Sequence, residues 1–157
     1  MDLAKVNMIT IRFRYAFIND RFETLPGKTG NRYEGAVFPT VYLFGNETYL
    51  RFNLRYSQKD ARDIHWDYQG PGGGLLLDAN LVQKLYGTMA FDYEYQDYVF
   101  HPDHRKDQKT TALASLYYRF TRNWKASVDF AYYQTDSTIK IYTYRRSVVG
   151  ISGEYAF

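Results

Sequence analysis

Cysteine is absent from the 157 residues, which excludes both a disulfide framework and a thiolate metal site. Long apolar runs are missing as well. No stretch approaches the roughly 20 apolar residues that a membrane-crossing helix needs, and mean hydropathy is −0.51. Neither sign of charge dominates: 20 Lys and Arg stand against 17 Asp and Glu, a net of +3, too balanced for a nucleic-acid footprint. The opening MDLAKVNMIT has no apolar secretory core. An exported form is therefore expected either to have lost its leader or to be the C-terminal part of a longer chain. The length fits one domain, residues 1–157.

Aromatic residues are abundant: 17 Tyr, 11 Phe and 2 Trp, 19% of the chain. A water-soluble domain of this size has little core volume for so many large rings. A membrane β-barrel places them in girdles at its two interfaces, where the ring is apolar and the hydroxyl stays wet.

Period-two alternation recurs in segments of about ten residues, the pattern of a transmembrane strand. Eight segments are read at 5–17, 33–44, 47–58, 73–83, 85–98, 109–120, 124–135 and 142–157. In the third, Leu50, Phe52, Leu54 and Tyr56 alternate with Tyr49, Arg51, Asn53 and Arg55; in the seventh, Trp124, Ala126, Val128 and Phe130 alternate with Lys125, Ser127 and Asp129. The second alternates poorly, and its Pro39 removes a ladder donor. The connections at Gly45-Asn46, Lys84 and residues 121–123 are short; those at 18–32, 59–72, 97–108 and 136–141 are longer. Such alternation is what periplasmic turns and extracellular loops produce. The expectation is an all-β, transmembrane, antiparallel up-and-down β-barrel of about eight strands, with both termini periplasmic.

The polar face carries full charges at mid-strand. An ionised group facing lipid at the midplane costs about 2–4 kcal/mol, so this face is expected to line the lumen. The lumen-lining set is Arg12, Arg14, Arg51, Arg55, Asp78, Asp92, Glu94, Arg119, Asp129, Arg146 and Glu154. Two arrangements are open. An eight-stranded interior is just wide enough to be filled by side chains, so the charges could form an ion-pair core. In a wider barrel they would line a pore that selects solutes by charge.

The last strand places Val149, Ile151, Gly153, Tyr155 and Phe157 on one face. It resembles the C-terminal signal that bacterial outer-membrane proteins present to the barrel-assembly machinery. The resemblance implies an outer-membrane location, Tyr155 and Phe157 as the assembly signal, and that machinery as a partner in biogenesis. Residues 136–139 and 142–150, with Asp92 to Tyr98, Arg105 and Asp107, look like the closing hairpins of export-associated barrels, such as surface-lipoprotein assembly modulators and exopolysaccharide-export barrels. Many of those are larger, which implies that residues 1–157 could be part of a wider barrel.

Other motifs read more plainly. His101-Pro102-Asp103-His104, with Asp97 and Asp107, has divalent-ion ligand types but fits a solvated loop. Gly70 to Gly74 lacks the Lys-Ser/Thr and helix of a phosphate loop and reads as a flexible loop with a glycine kink. The His-x-Ser pair of lipid A deacylase barrels is missing: His65 precedes Trp66-Asp67, and His104 precedes Arg105-Lys106. No catalytic residue, metal or cofactor is assigned, and the chain is not expected to be an enzyme. The leading reading is a membrane-spanning scaffold or pore, with outer-membrane lipid and lipopolysaccharide around it. Alternatives are an adhesin or ligand-binding barrel whose loops meet a periplasmic or extracellular protein, and a lipid-modifying enzyme.

Overall fold

A computed structural model describes residues 6–44 and 47–155. It contains β1 (Val6–Asp20), β2 (Gly30–Leu43), β3 (Thr48–Ala61), β4 (Tyr68–Val82), β5 (Leu85–Asp97), β6 (Lys106–Arg119), β7 (Trp124–Ser137) and β8 (Tyr144–Tyr155). Single 3-10 turns at Pro26–Lys28, Ile64–Trp66 and Lys140–Tyr142 sit in three of the longer connections. The strands form one antiparallel sheet in chain order, β1 through β8. This is the up-and-down architecture expected from the alternation.

Short and long connections alternate as the sequence indicated. Gln83 and Lys84 join β4 to β5, with Lys84 at φ 68°. The Thr121 hydroxyl accepts hydrogen bonds from the Asn123 and Trp124 amides at 3.2 and 3.1 Å, which closes the β6–β7 turn. The expected turn at Gly45-Asn46 lies outside the described residues.

Registers align the outer face into apolar rows. One runs Ile9, Val41, Leu50, Leu77, Met89, Ala114, Phe130, Val149 across all eight strands. Ile9, Met89, Phe130 and Val149 in it are exposed, Ile9 at 62% and Val149 at 70%, and the other four are half-buried. Aromatics flank this band. Tyr118 with Phe120 and Trp124 with Tyr155 pair near the short turns, and Phe17 with Tyr33 near the long loops. A face of this kind resembles a lipid-facing surface bordered by girdles. Apart from Thr48, the buried strand residues lie on the opposite face: Glu34, Ala36, Thr40, Ser57, Lys59, Tyr68, Gln96, Asp107 and Thr135.

Three sequence expectations are corrected. First, β4 begins at Tyr68, so Gly70 to Gly74 belongs to a strand and is not a loop. Its even-numbered glycines lie under neighbouring atoms. A Cβ on Gly72 would stand 2.8 Å from Arg55 Nε, one on Gly74 2.7 Å from Asp92 Oδ2, and one on Gly70 1.9 Å from the Tyr95 carbonyl oxygen. Gly70→Ala is therefore expected to cost about 1–3 kcal/mol by overpacking, read as a lowered urea midpoint in detergent. Second, most strands outrun their expected ends on the loop side, and the long connections shorten accordingly. Third, among the described residues β8 does not pair with β1, so the sheet is curled but not closed. Pro39 is accommodated: the β2–β3 ladder passes from Val37–Leu54 to Thr40–Arg51 without a change of register.

Candidate functional site on the enclosed face

The buried face divides into three zones. Near the short turns, Asp129 accepts from Ser115 and Ser127 at 2.5 and 2.8 Å, and Asp78 accepts from Thr88 at 2.7 Å. Below them, Tyr86 and Tyr117 stack with centroids 4.8 Å apart, and Arg119 lies 5.0 Å from the Tyr86 ring. At the edge, Lys125 pairs with Glu154 at 2.8 Å.

At mid-sheet, the aliphatic row Leu76, Ala90, Leu113, Ala131, Val148 crosses β4 to β8. The polar-face reading of these strands missed it, because each strand contributes only one member. Toward the loops, Arg55 donates to both oxygens of Asp92 at 2.6 Å and to Glu94 at 3.1 Å. Arg14 pairs with Glu34, and Arg51 donates to Thr40 at 3.3 Å. Arg12, Arg14 and Arg51 line one cleft over β1–β3, whereas Asp78 and Asp129 sit on β4 and β7. The expected lumen set thus shares one face: Arg12, Arg14, Arg51 and Arg55 lie on β1 and β3, and the carboxylates lie on β4, β5, β7 and β8, with Arg119 on β6 and Arg146 on β8; Arg55 joins the two groups. Arg146 is exposed on the β8 edge, opposite Tyr133. Tyr155 packs on Trp124, and Phe157 lies outside the described residues.

The third zone, at the loop end, holds the most deeply buried charged side chains, Lys59, Arg105 and Asp107. Asp20, Phe22, Lys28, Lys59, Trp66, Tyr68, Tyr98, Arg105, Asp107, Lys109, Thr135, Ile141, Tyr142 and Tyr144 surround a cavity of about 380 Å³. Contributions from β1, β3, β4, β6, β7 and β8, the two edge strands included, mean that the sheet curls round on itself at this end. The Arg105 guanidinium holds three loops together. It bonds Asp107, with Nε to Oδ1 at 3.0 Å, and lies 3.5 Å from the Tyr142 ring, 4.1 Å from Tyr98 and 5.3 Å from Trp66. Trp66 meets Tyr142 edge-on at 5.9 Å. Lys59 bonds Asp20 at 3.2 Å, and Lys28 stands 4.3 Å from the Trp66 ring. Burial first, then Arg105 and Lys59, lower the Lys28 pKa below the usual lysine range, with Asp107 opposing them. Burial likewise pushes the Tyr98 hydroxyl upward, and this hydroxyl donates to Gln96 at 3.0 Å.

None of this cage was in the expected lumen set. The signal was nevertheless present. Ser57 and Lys59 continue the odd-numbered series of β3, and Lys109 and Asp107 continue that of β6. His65 and His101 approach at 6.3 Å from different loops; among the described residues no group of three metal-ligating side chains assembles.

A family model described as "Putative beta-barrel porin 2" matches residues 72–156, more than half of the chain. The match names a porin family and does not extend to the export-associated barrels. Comparisons with curated proteins and with solved structures return no match.

Proposed function

Since the chain belongs to the beta-barrel porin 2 family, we propose that it forms the wall of an outer-membrane pore with a charged lumen. The observation that carries this reading is the division of all eight strands into an exposed apolar, ring-rich face and an opposite face holding ionised groups. In hydrocarbon every backbone N–H and C=O needs a partner, so the β1 and β8 edges are paired when the protein is inserted. Pairing with further strands gives the wider closure. That closure suits a face bearing Arg12, Arg14, Arg51, Tyr86, Tyr117 and Tyr133, which an eight-stranded interior would have to pack solid.

In this reading the short turns and both termini are periplasmic and the long loops are extracellular. Lipid and lipopolysaccharide contact the outer face, the assembly machinery reads the C-terminal strand, and no reaction is catalysed. Single-channel recording in planar bilayers tests the proposal. Steady, voltage-linear conductance is expected from protein that migrates as an SDS-resistant β form. A silent bilayer with such protein inserted would mean a plugged scaffold.

A further inference from the structure

The loop-end cage holds cations that its own carboxylates do not neutralise. Asp20 is engaged by Lys59 and Asp107 by Arg105, which leaves Lys28 and Lys109 over. Lys28 lies over the rings of Trp66 and Phe22, and although Asp107 is near enough to act on it, no carboxylate is within ion-pair distance of it among the described residues. Lys109 stands opposite Glu94 across the β5–β6 ladder. The Glu94 oxygens, however, go to Arg55 and Gln96, and no carboxylate lies within ion-pair distance of Lys109 among the described residues.

A second observation points the same way. Arg105 is 5% exposed and Thr135 2% exposed, yet Arg105 Nη1 and Thr135 Oγ1 have no hydrogen-bond partner among the described residues. Both residues line the cavity. A buried polar atom without a partner costs about 1–3 kcal/mol, so two on one cavity wall, beside two unneutralised ammonium groups, describe a place prepared for an acceptor-rich anion.

We propose that this cavity binds the oxyanion group, carboxylate or phosphate, of a small soluble solute, with Lys28 and Lys109 supplying charge and Arg105 and Thr135 supplying hydrogen bonds. The site lies on the enclosed face, so a lipid headgroup is not its occupant. The inference deepens the pore reading by naming the class of solute held at the mouth, and it is tested without conduction.

The full chain carrying Trp124→Phe, so that Trp66 is the reporter, is refolded in nonionic detergent. It is titrated with citrate and, separately, with inorganic phosphate at constant ionic strength. A saturable change in Trp66 emission is expected. Saturation by citrate alone assigns a carboxylate site, and saturation by phosphate alone a phosphate site. Lys28→Gln and Lys109→Gln should each weaken binding by about tenfold or more, the scale of one charge-assisted hydrogen bond. Lys109→Arg should retain it, and Lys125→Gln, at the far end of the sheet, should leave it unchanged.

Affinity should also fall as pH rises through the lowered Lys28 value, because only the ammonium form attracts an anion. Asp107 opposes that lowering, and Arg105 and Lys59 reinforce it. No saturable response from SDS-resistant protein, or equal affinity in the Lys28→Gln/Lys109→Gln double variant, would overturn the site. Binding with a silent bilayer would refute the pore and keep the site; conduction without binding would do the reverse.

Discussion

Phe130→Arg is expected to destabilise the folded protein in a bilayer by about 2–4 kcal/mol, the cost of a guanidinium at the lipid midplane. Phe130 lies near the middle of β7, between Ala114 and Val149 in the apolar row that crosses the whole sheet. The matched control is Thr111→Arg. Thr111 is on the other face, directly opposite Asp92, where a new cation meets a carboxylate, and a change within about 0.5 kcal/mol is expected. Urea titrations in lipid vesicles, followed by tryptophan emission, read both. Equal losses for the two variants would mean that the faces are not differently solvated, and the membrane reading would fall with that result.

Asp92→Ala is expected to cost about 2 kcal/mol. Breaking a fully buried pair costs about 3–5 kcal/mol because the stranded charge stays desolvated. Arg55 is that case, with a side chain 10% exposed, but Asp92 is 36% exposed and Glu94 remains as a second acceptor, so the loss is smaller. The pair is held in a notch: Gly72 and Gly74 lie beneath Arg55 and Asp92, where any Cβ would intrude. The double variant Arg55→Met/Asp92→Leu removes both charges together. It should recover most of the stability, and the same urea titrations, with Arg55→Met and Asp92→Leu measured singly, give the coupling energy. A double variant no better than Asp92→Ala would show that packing in the notch, not the ion pair, sets the cost.

The sequence carried the architecture because the apolar and polar faces of the sheet alternate at every second residue, and that contrast is written directly into segments such as Leu50 to Tyr56. The contrast fails in two places. Beyond the apolar band, β3 continues through Gln58, Lys59 and Asp60, where both faces are polar; alternation disappears while the ladder continues to Ala61. Asp20, Lys59, Asp107 and Lys109, the strand-borne charged members of the cage, lie on such overhanging ends or next to them. The other failure is glycine. Gly70, Gly72 and Gly74 suggest a flexible connection when read by propensity, but their job here is to leave volume for Arg55, Asp92 and the β5 backbone, a requirement set by residues more than 15 positions away. Pairings such as Arg14 with Glu34 depend on register, which alternation alone does not specify.

The unpaired sides of β1 and β8 have a kinetic consequence. Among the described residues, each presents an edge that no further strand covers, beside exposed Ile11 and Phe13 on one strand and Val149 and Ile151 on the other. Outside a bilayer, such an edge is a template on which a like strand can grow. Capture by the membrane is first order in chain, whereas edge-to-edge growth needs two chains to collide. Dilution therefore favours insertion, and crowding the unfolded chain favours fibrous aggregate.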